Sequence, residues 1–305
     1  MNTKLSINNF VDWTITEDMV NNVKVDEVGV LDRVSSLATR SIKKESKLNA
    51  LQKIVSMCDL TTLEGEDTEG KIIQMSSKAI APDPNDESVP SAAAVCVYPA
   101  LVSTAKKTVK DSSVKVASVS SYFPSGQAPI ESKISDTKFA INEGADEIDI
   151  VINRKAFFEG DYKKVYEEIK SLKDVCGDIH LKTILEIGEL KTYENIKKAS
   201  VIALCAGSDF IKTSTGKISN GSSREACLVM ARTVREFQSY GYGMRGIKVA
   251  GGIRSSKDAI RYLVIINEEL GSSWLSPDYF RFGASSLLDD CLLYTSDAAD
   301  DTTGV

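Results

Sequence analysis

Histidine is almost missing from these 305 residues, His180 being the single one. The six cysteines, Cys58, Cys96, Cys176, Cys205, Cys227 and Cys291, are scattered and form no Cys-x-x-Cys pair. Together these shortages speak against a bound zinc, whose ligands come from those two residue types, and against a disulfide framework. No metal or other cofactor is expected. No apolar run approaches the roughly 18 residues of a membrane span, and Met1 to Asn9 lacks the basic start and apolar centre of a secretory signal. A cytoplasmic protein without a membrane partner is the expectation. Nor is there a long Lys/Arg run, and the formal net charge is −6, so nucleic acid is excluded as a partner. An anionic ligand would have to be held by local groups rather than by the field of the whole molecule.

What is present is an ordinary globular composition, 42% hydrophobic and 26% charged. From Met57 onward, short runs rich in Val and Ile alternate with longer amphipathic stretches, the pattern of repeated βα units around a parallel sheet. Eight such runs are visible: Met57–Thr62, Ala92–Tyr98, Lys115–Phe123, Glu147–Asn153, Leu181–Ile187, Phe210–Gly216, Gly246–Gly252 and Tyr279–Ala284. Their starts lie 23 to 36 residues apart, leaving room for helices such as Tyr162–Val175 and Arg224–Ser239. Eight units close a barrel, so the chain reads as an α/β protein, a (β/α)8 TIM barrel over residues 52–293. Residues 1–51, polar and weakly helical in pattern, form an N-terminal helical extension. Residues 294–305, small, polar and acidic, are expected to be disordered. The acidic stretch Pro82–Pro90 reads as an exposed loop on the barrel's N-terminal face.

Two lysines sit at the centres of strand-like segments, Lys212 in Phe210–Lys217 and Lys248 in Gly246–Arg254. Lysine is seldom buried without a reason. The two are 36 residues apart, one βα repeat, so adjacent strands could aim both into one barrel mouth. A neighbouring cation and a dry pocket each disfavour a charged ammonium, leaving a neutral amine able to attack a carbonyl. The bland alternative is a lysine that snorkels to solvent from a strand end. Asp149 lies inside the apolar run Ile148–Ile152, where an unpaired carboxylate is costly; Asp146, close by, could equally be a strand-end cap. Lys182 in the fifth run has the same periodicity as Lys212. Each lysine segment runs into glycines, Thr215-Gly216-Lys217 and Gly251-Gly252-Ile253-Arg254, and the last strand, Arg281-Phe-Gly-Ala-Ser-Ser286, leads straight into a helix. Glycine loops and a helix N-terminus after strands seven and eight are the usual place for phosphate on a barrel.

Seven segments, in order, resemble the deoxyribose-phosphate aldolase family. They are Cys58–Leu63, Ala94–Pro99, Gly144–Val151, Glu186–Leu190, Asp209–Lys217, Ala250–Arg254 and Tyr279–Leu288. The resemblance implies reversible cleavage of 2-deoxy-D-ribose 5-phosphate to acetaldehyde and D-glyceraldehyde 3-phosphate, without a metal, as part of deoxyribonucleotide breakdown. It implies that Lys212 forms the Schiff base, that Lys248 disfavours its protonated form, and that Asp149 relays protons with Lys248. Asp59, read as lying at the end of the first strand, would be a further acidic member of that network. Cys96 matches a cysteine near the substrate, although a thiol between Val95 and Val97 is more often simply packed. Gly216, Gly251, Gly252, Ser285 and Ser286 match phosphate contacts, with Thr215 and Gly283 beside them, and Lys217 and Arg254 add positive charge. Three departures stand out. Val249 replaces a frequent proline, Ile187 a common threonine, and the chain ends Thr-Thr-Gly-Val305 where the family often has a tyrosine, Tyr294 being the nearest.

The partner implied is a small phosphosugar, and a homodimer is left open. Two other functions compete: another imine-forming barrel aldolase or transaldolase acting on a different sugar phosphate, and a non-catalytic phosphosugar-binding barrel. The joint presence of Lys212, Lys248 and Asp149 counts against the second.

Overall fold

The computed structural model describes residues 10–40 and 44–300, with side chains for 10–40 and 46–293. Eight parallel strands close into a barrel in sequence order. They are β1 (Cys58–Thr61), β2 (Ala94–Val97), β3 (Lys115–Val119), β4 (Glu147–Val151), β5 (His180–Ile184), β6 (Phe210–Lys212), β7 (Gly246–Ala250) and β8 (Phe280–Ala284). Each falls within or one residue beyond its expected run; β5 is the one that starts earlier, at the exposed His180. Before β1 come α1 (Trp13–Asn21), α2 (Glu27–Ala38) and α3 (Lys44–Ser56). Between the strands lie α4 (Glu69–Ile80), α5 (Val102–Val109), α6 (Ile130–Asn142), α7 (Arg154–Phe158) and α8 (Tyr162–Cys176). They are followed by α9 (Ile187–Leu190), α10 (Tyr193–Cys205), α11 (Arg224–Ser239), α12 (Ser256–Leu270) and α13 (Leu287–Asp300).

Successive strand residues face opposite sides of a sheet, and here the two sides differ sharply. Val95, Val116, Ile148, Ile150, Leu181, Ile211, Ile247, Val249, Phe280 and Phe282 face outward and join the main apolar core beneath the helices. The alternate positions point into the barrel and carry the charges. Several helices begin at a side-chain cap shortly after a strand or loop, as where Ser223 Oγ accepts the Ala226 N–H at 3.1 Å and Ser255 Oγ that of Asp258 at 3.2 Å. Each cap satisfies an amide that the first helical turn cannot.

Among the described residues before the barrel lie the helices α1 to α3, of which α3 runs past residue 51 to Ser56 and leads straight into β1. Leu51, Ile54 and Val55 are fully buried, so this helix belongs to the barrel's packing. α1 lies against α8 and α10, α2 against α11 and α12, and Tyr166 Oη donates to the Val11 carbonyl at 2.7 Å. At the other end the expectation of a disordered tail from residue 294 is corrected, because α13 continues to Asp300; residues 301–305 lie outside the described part, as do 1–9. The reason is cooperative. Leu287, Leu288 and Cys291 are fully buried and hold the first turns, and extending a nucleated helix through Ala298 and Ala299 adds a hydrogen bond per residue at little cost.

Candidate active site

Seven ionisable side chains meet inside the barrel. Asp149, on β4, accepts from Lys212 Nζ at 2.7 Å and Lys248 Nζ at 2.9 Å, both on Oδ2, while its Oδ1 accepts from Lys182 Nζ at 2.9 Å. Lys182 also pairs with Glu147 at 2.6 Å, and Glu147 with Arg281 at 2.9 Å. Arg281 pairs with Asp59 Oδ1 at 2.6 Å, whose Oδ2 lies 2.6 Å from Lys248 Nζ. Strand register makes this inevitable: Asp149 stands beside Lys182, Lys212 beside Lys248, and Lys248 beside Arg281. Two small residues make room. A Cβ at Gly246 would fall 2.3 Å from the Phe210 ring, and one at Gly283 would fall 3.0 Å from Lys248 Cε.

All seven groups are buried, so each charge depends on its neighbours. Burial alone would raise Asp149, yet Lys182, Lys212 and Lys248 hold it well below the usual carboxylate range. Burial would likewise raise Asp59 and Glu147, but the cations beside them keep both below their ordinary values. Lys182 and Lys248 stay charged, because the carboxylates outweigh the desolvation that would lower them. Lys212 is the exception. Burial lowers it, Lys248 lowers it further, and Asp149 recovers only part. The barrel therefore holds one lysine inclined to the neutral amine, among groups inclined to remain ions.

Lys212, 2% exposed, reaches the floor of a cavity of about 730 Å³ that opens at the C-terminal ends of the strands. Thr215, Gly216, Lys217, Gly251, Gly252, Arg254, Gly283 and Ser285 line this cavity as well. Asp149, Lys248 and Asp59 lie beneath it. Asp59 is the second residue of β1 rather than its last, so it sits inside the barrel, fully buried, with its Oδ2 against Lys248 Nζ. Cys96 and Ser286 are not among the lining residues. Cys96 instead packs with Leu63, Ala117 and Val119, and burial pushes its thiol up. Gly251 has a φ of +90°, which turns the chain sharply after β7, and an added Cβ would collide with Ser214 Oγ at 2.5 Å. Thr215 is held by Glu186, which accepts its hydroxyl at 2.6 Å and its amide at 3.2 Å. Lys217 pairs with Glu64 at 2.9 Å.

Sequence reasoning passes over Glu147 and Arg281 and ranks Lys182 below Lys212. A signal exists nonetheless: Glu147 is two residues before Asp149, and Arg281 two before Gly283, so each shares an inward face with a residue already singled out. Asp146 is the strand-end group instead, accepting from Lys106 Nζ at 2.6 Å and from the Val116 amide at 2.9 Å. Among the described residues no helix is long and apolar enough to cross a membrane.

The sequence model of the DeoC/LacD family aldolases matches residues 53–292. The deoxyribose-phosphate aldolases of Homo sapiens and Mus musculus are each 42% identical over 283 residues, covering 89% of this chain and 89% of theirs. A tetrameric deoxyribose phosphate aldolase from Aeropyrum pernix superposes with a TM-score of 0.63 at 23% identity, covering 84% of this chain and 99% of that one. This last likeness concerns the fold.

Proposed function

The chain belongs to the DeoC/LacD family of aldolases and is a lyase, and on that premise we propose that it cleaves 2-deoxy-D-ribose 5-phosphate reversibly through a Schiff base on Lys212. The observation that carries this reading is the buried Lys212 at the cavity floor, bonded to Asp149 beside the charged Lys248. In the cleavage direction the neutral amine adds to the sugar's C1 aldehyde, and loss of water leaves an imine that can accept electrons. Removal of the C3 hydroxyl proton breaks the C2–C3 bond, releasing glyceraldehyde 3-phosphate and leaving an enamine of acetaldehyde. Protonation at C2 and hydrolysis then free acetaldehyde and the lysine. Asp149, ionised, and Lys248, protonated, are the acceptor and donor placed to move these protons. The names of the curated relatives support the substrate, and the cavity's breadth suits a phosphosugar.

Borohydride reduction in the presence of acetaldehyde is expected to leave an N-ethyl group on Lys212, found by peptide mass mapping, and to do so undiminished in EDTA because the imine is itself the electron sink. Loss of adduct in EDTA, restored by a divalent ion, would sink this mechanism. A panel of phosphorylated sugars should show acetaldehyde release from deoxyribose 5-phosphate above the others; preference for a different sugar phosphate would reassign the substrate.

The phosphate end is assigned to Gly251, Gly252 and Ser285 at the start of α13, where backbone amides and the helix dipole favour an anion. Ser285→Glu places a negative charge there without backbone strain. It should raise KM for deoxyribose 5-phosphate roughly tenfold, the scale of one partly solvated charge repulsion, with far less change for unphosphorylated deoxyribose. An equal loss for both substrates would move the phosphate elsewhere.

A further inference from the structure

The buried ions form a closed ring of alternating sign: Arg281, Asp59, Lys248, Asp149, Lys182, Glu147 and back to Arg281. Each carboxylate touches two cations and each cation two carboxylates. The ring is therefore neutral without Lys212, which joins it from outside by sharing Asp149 Oδ2 with Lys248. A protonated Lys212 would leave the buried cluster with one unbalanced charge, which its low-dielectric surroundings disfavour. The groups that act on Lys212 come from every side. Asp149 on β4, Lys248 on β7 and Cys96 on β2 are nearest, with Lys182 on β5, Asp59 on β1, Glu147 on β4 and Arg281 on β8 behind them. Cys96, kept as a neutral thiol by burial, adds no charge to the count.

We propose that Glu147 and Arg281, which touch neither Lys212 nor Asp149, are positioning residues that decide through the ring whether Lys212 carries a proton. Arg281 grips Asp59 and so holds the carboxylate that faces Lys248; Glu147 grips Lys182 and so holds the lysine that faces Asp149. Between them they tie both arms of the ring at its far end. The proposal rests on Lys212 being the nucleophile and adds that the balance of charge below it, as well as the single neighbour Lys248, keeps it neutral.

The count predicts opposite effects from opposite deletions. Glu147→Gln keeps the shape and hydrogen-bonding reach but leaves three ring cations against two anions, so a proton on Lys212 becomes harder to hold. Arg281→Met leaves two cations against three anions, and a protonated Lys212 then completes the balance. The double variant, with two of each, returns to the original state. The experiment is the pH profile of borohydride-trapped acetaldehyde adduct on Lys212, mapped by mass spectrometry in the full chain.

The midpoint should fall by about one pH unit in Glu147→Gln and rise by about as much in Arg281→Met, a tenfold change in neutral amine on the acid limb. It should return close to the original value in the double variant and stay there in Arg281→Lys. Glu147→Gln, nearly isosteric, decides the matter by itself should Arg281→Met not fold. Adduct on Lys212 with unmoved midpoints, with both single variants shifted the same way, or with no return in the double variant overturns the ring as the controlling element. Adduct on Lys248 or Lys182 in the unaltered protein overturns the nucleophile, and this inference with it.

Discussion

Lys212→Arg is expected to abolish imine formation and to lower retro-aldol turnover by on the order of 10⁴-fold or more, the scale on which loss of a covalent nucleophile acts. The substitution removes the nucleophile while leaving Asp149 Oδ2, which now binds Lys212 Nζ at 2.7 Å, a group it can still bind, at the cost of one permanent charge beyond the balance of the ring. A guanidinium, however, does not deprotonate in a protein, and without a free lone pair it cannot add to an aldehyde. The measurement is borohydride-trapped adduct together with turnover, checked against a cooperative thermal unfolding transition that shows the variant folded, at a midpoint lowered by the added buried charge. Adduct on Lys248 or Lys182 with near-normal turnover would show that another lysine of the cluster does the chemistry.

Lys248→Leu should give a slower enzyme whose activity moves to alkaline pH. The sign follows from the charges around Lys212. In the native barrel burial and the Lys248 ammonium both disfavour protonated Lys212, against the pull of Asp149. Removing Lys248 deletes one repulsion and hands Asp149 Oδ2 to Lys212 alone. The amine's midpoint should then rise toward the free-lysine value of about 10.4, and at pH 7 the neutral fraction falls to less than about one in 10³. Turnover at neutral pH should drop by roughly tenfold or more, the scale of one neighbouring charge removed, and part of it should return as pH is raised. The part that does not return measures the lost proton donor. A flat pH profile with uniformly low turnover would assign Lys248 to proton transfer alone; unaltered turnover at neutral pH would remove it from the mechanism.

The barrel itself is legible in the amino-acid sequence. Eight Val- and Ile-rich runs at regular spacing encode eight βα units, because each run must bury one face under a helix and each intervening stretch is long enough to supply one. Lys212, Lys248 and Asp149 are legible too, as ions inside apolar runs where an unpaired charge is costly. The end of α13 is not, since a small, polar and acidic segment without helical periodicity is drawn into the helix once Leu287, Leu288 and Cys291 anchor the turns before it. Nor is the ring. A period of two says that Glu147 and Asp149 share a face, but not which residues of other strands lie opposite. Asp59 and Arg281 are 222 positions apart and become partners only because β8 returns to pair with β1. Local sequence thus determined the strands and marked Lys212, Lys248 and Asp149 as ions within them. Closure of the sheet and its stagger decided that three carboxylates and three cations would balance one another, leaving Lys212 as the surplus amine, because only the assembled barrel sets which buried charges are close enough to cancel.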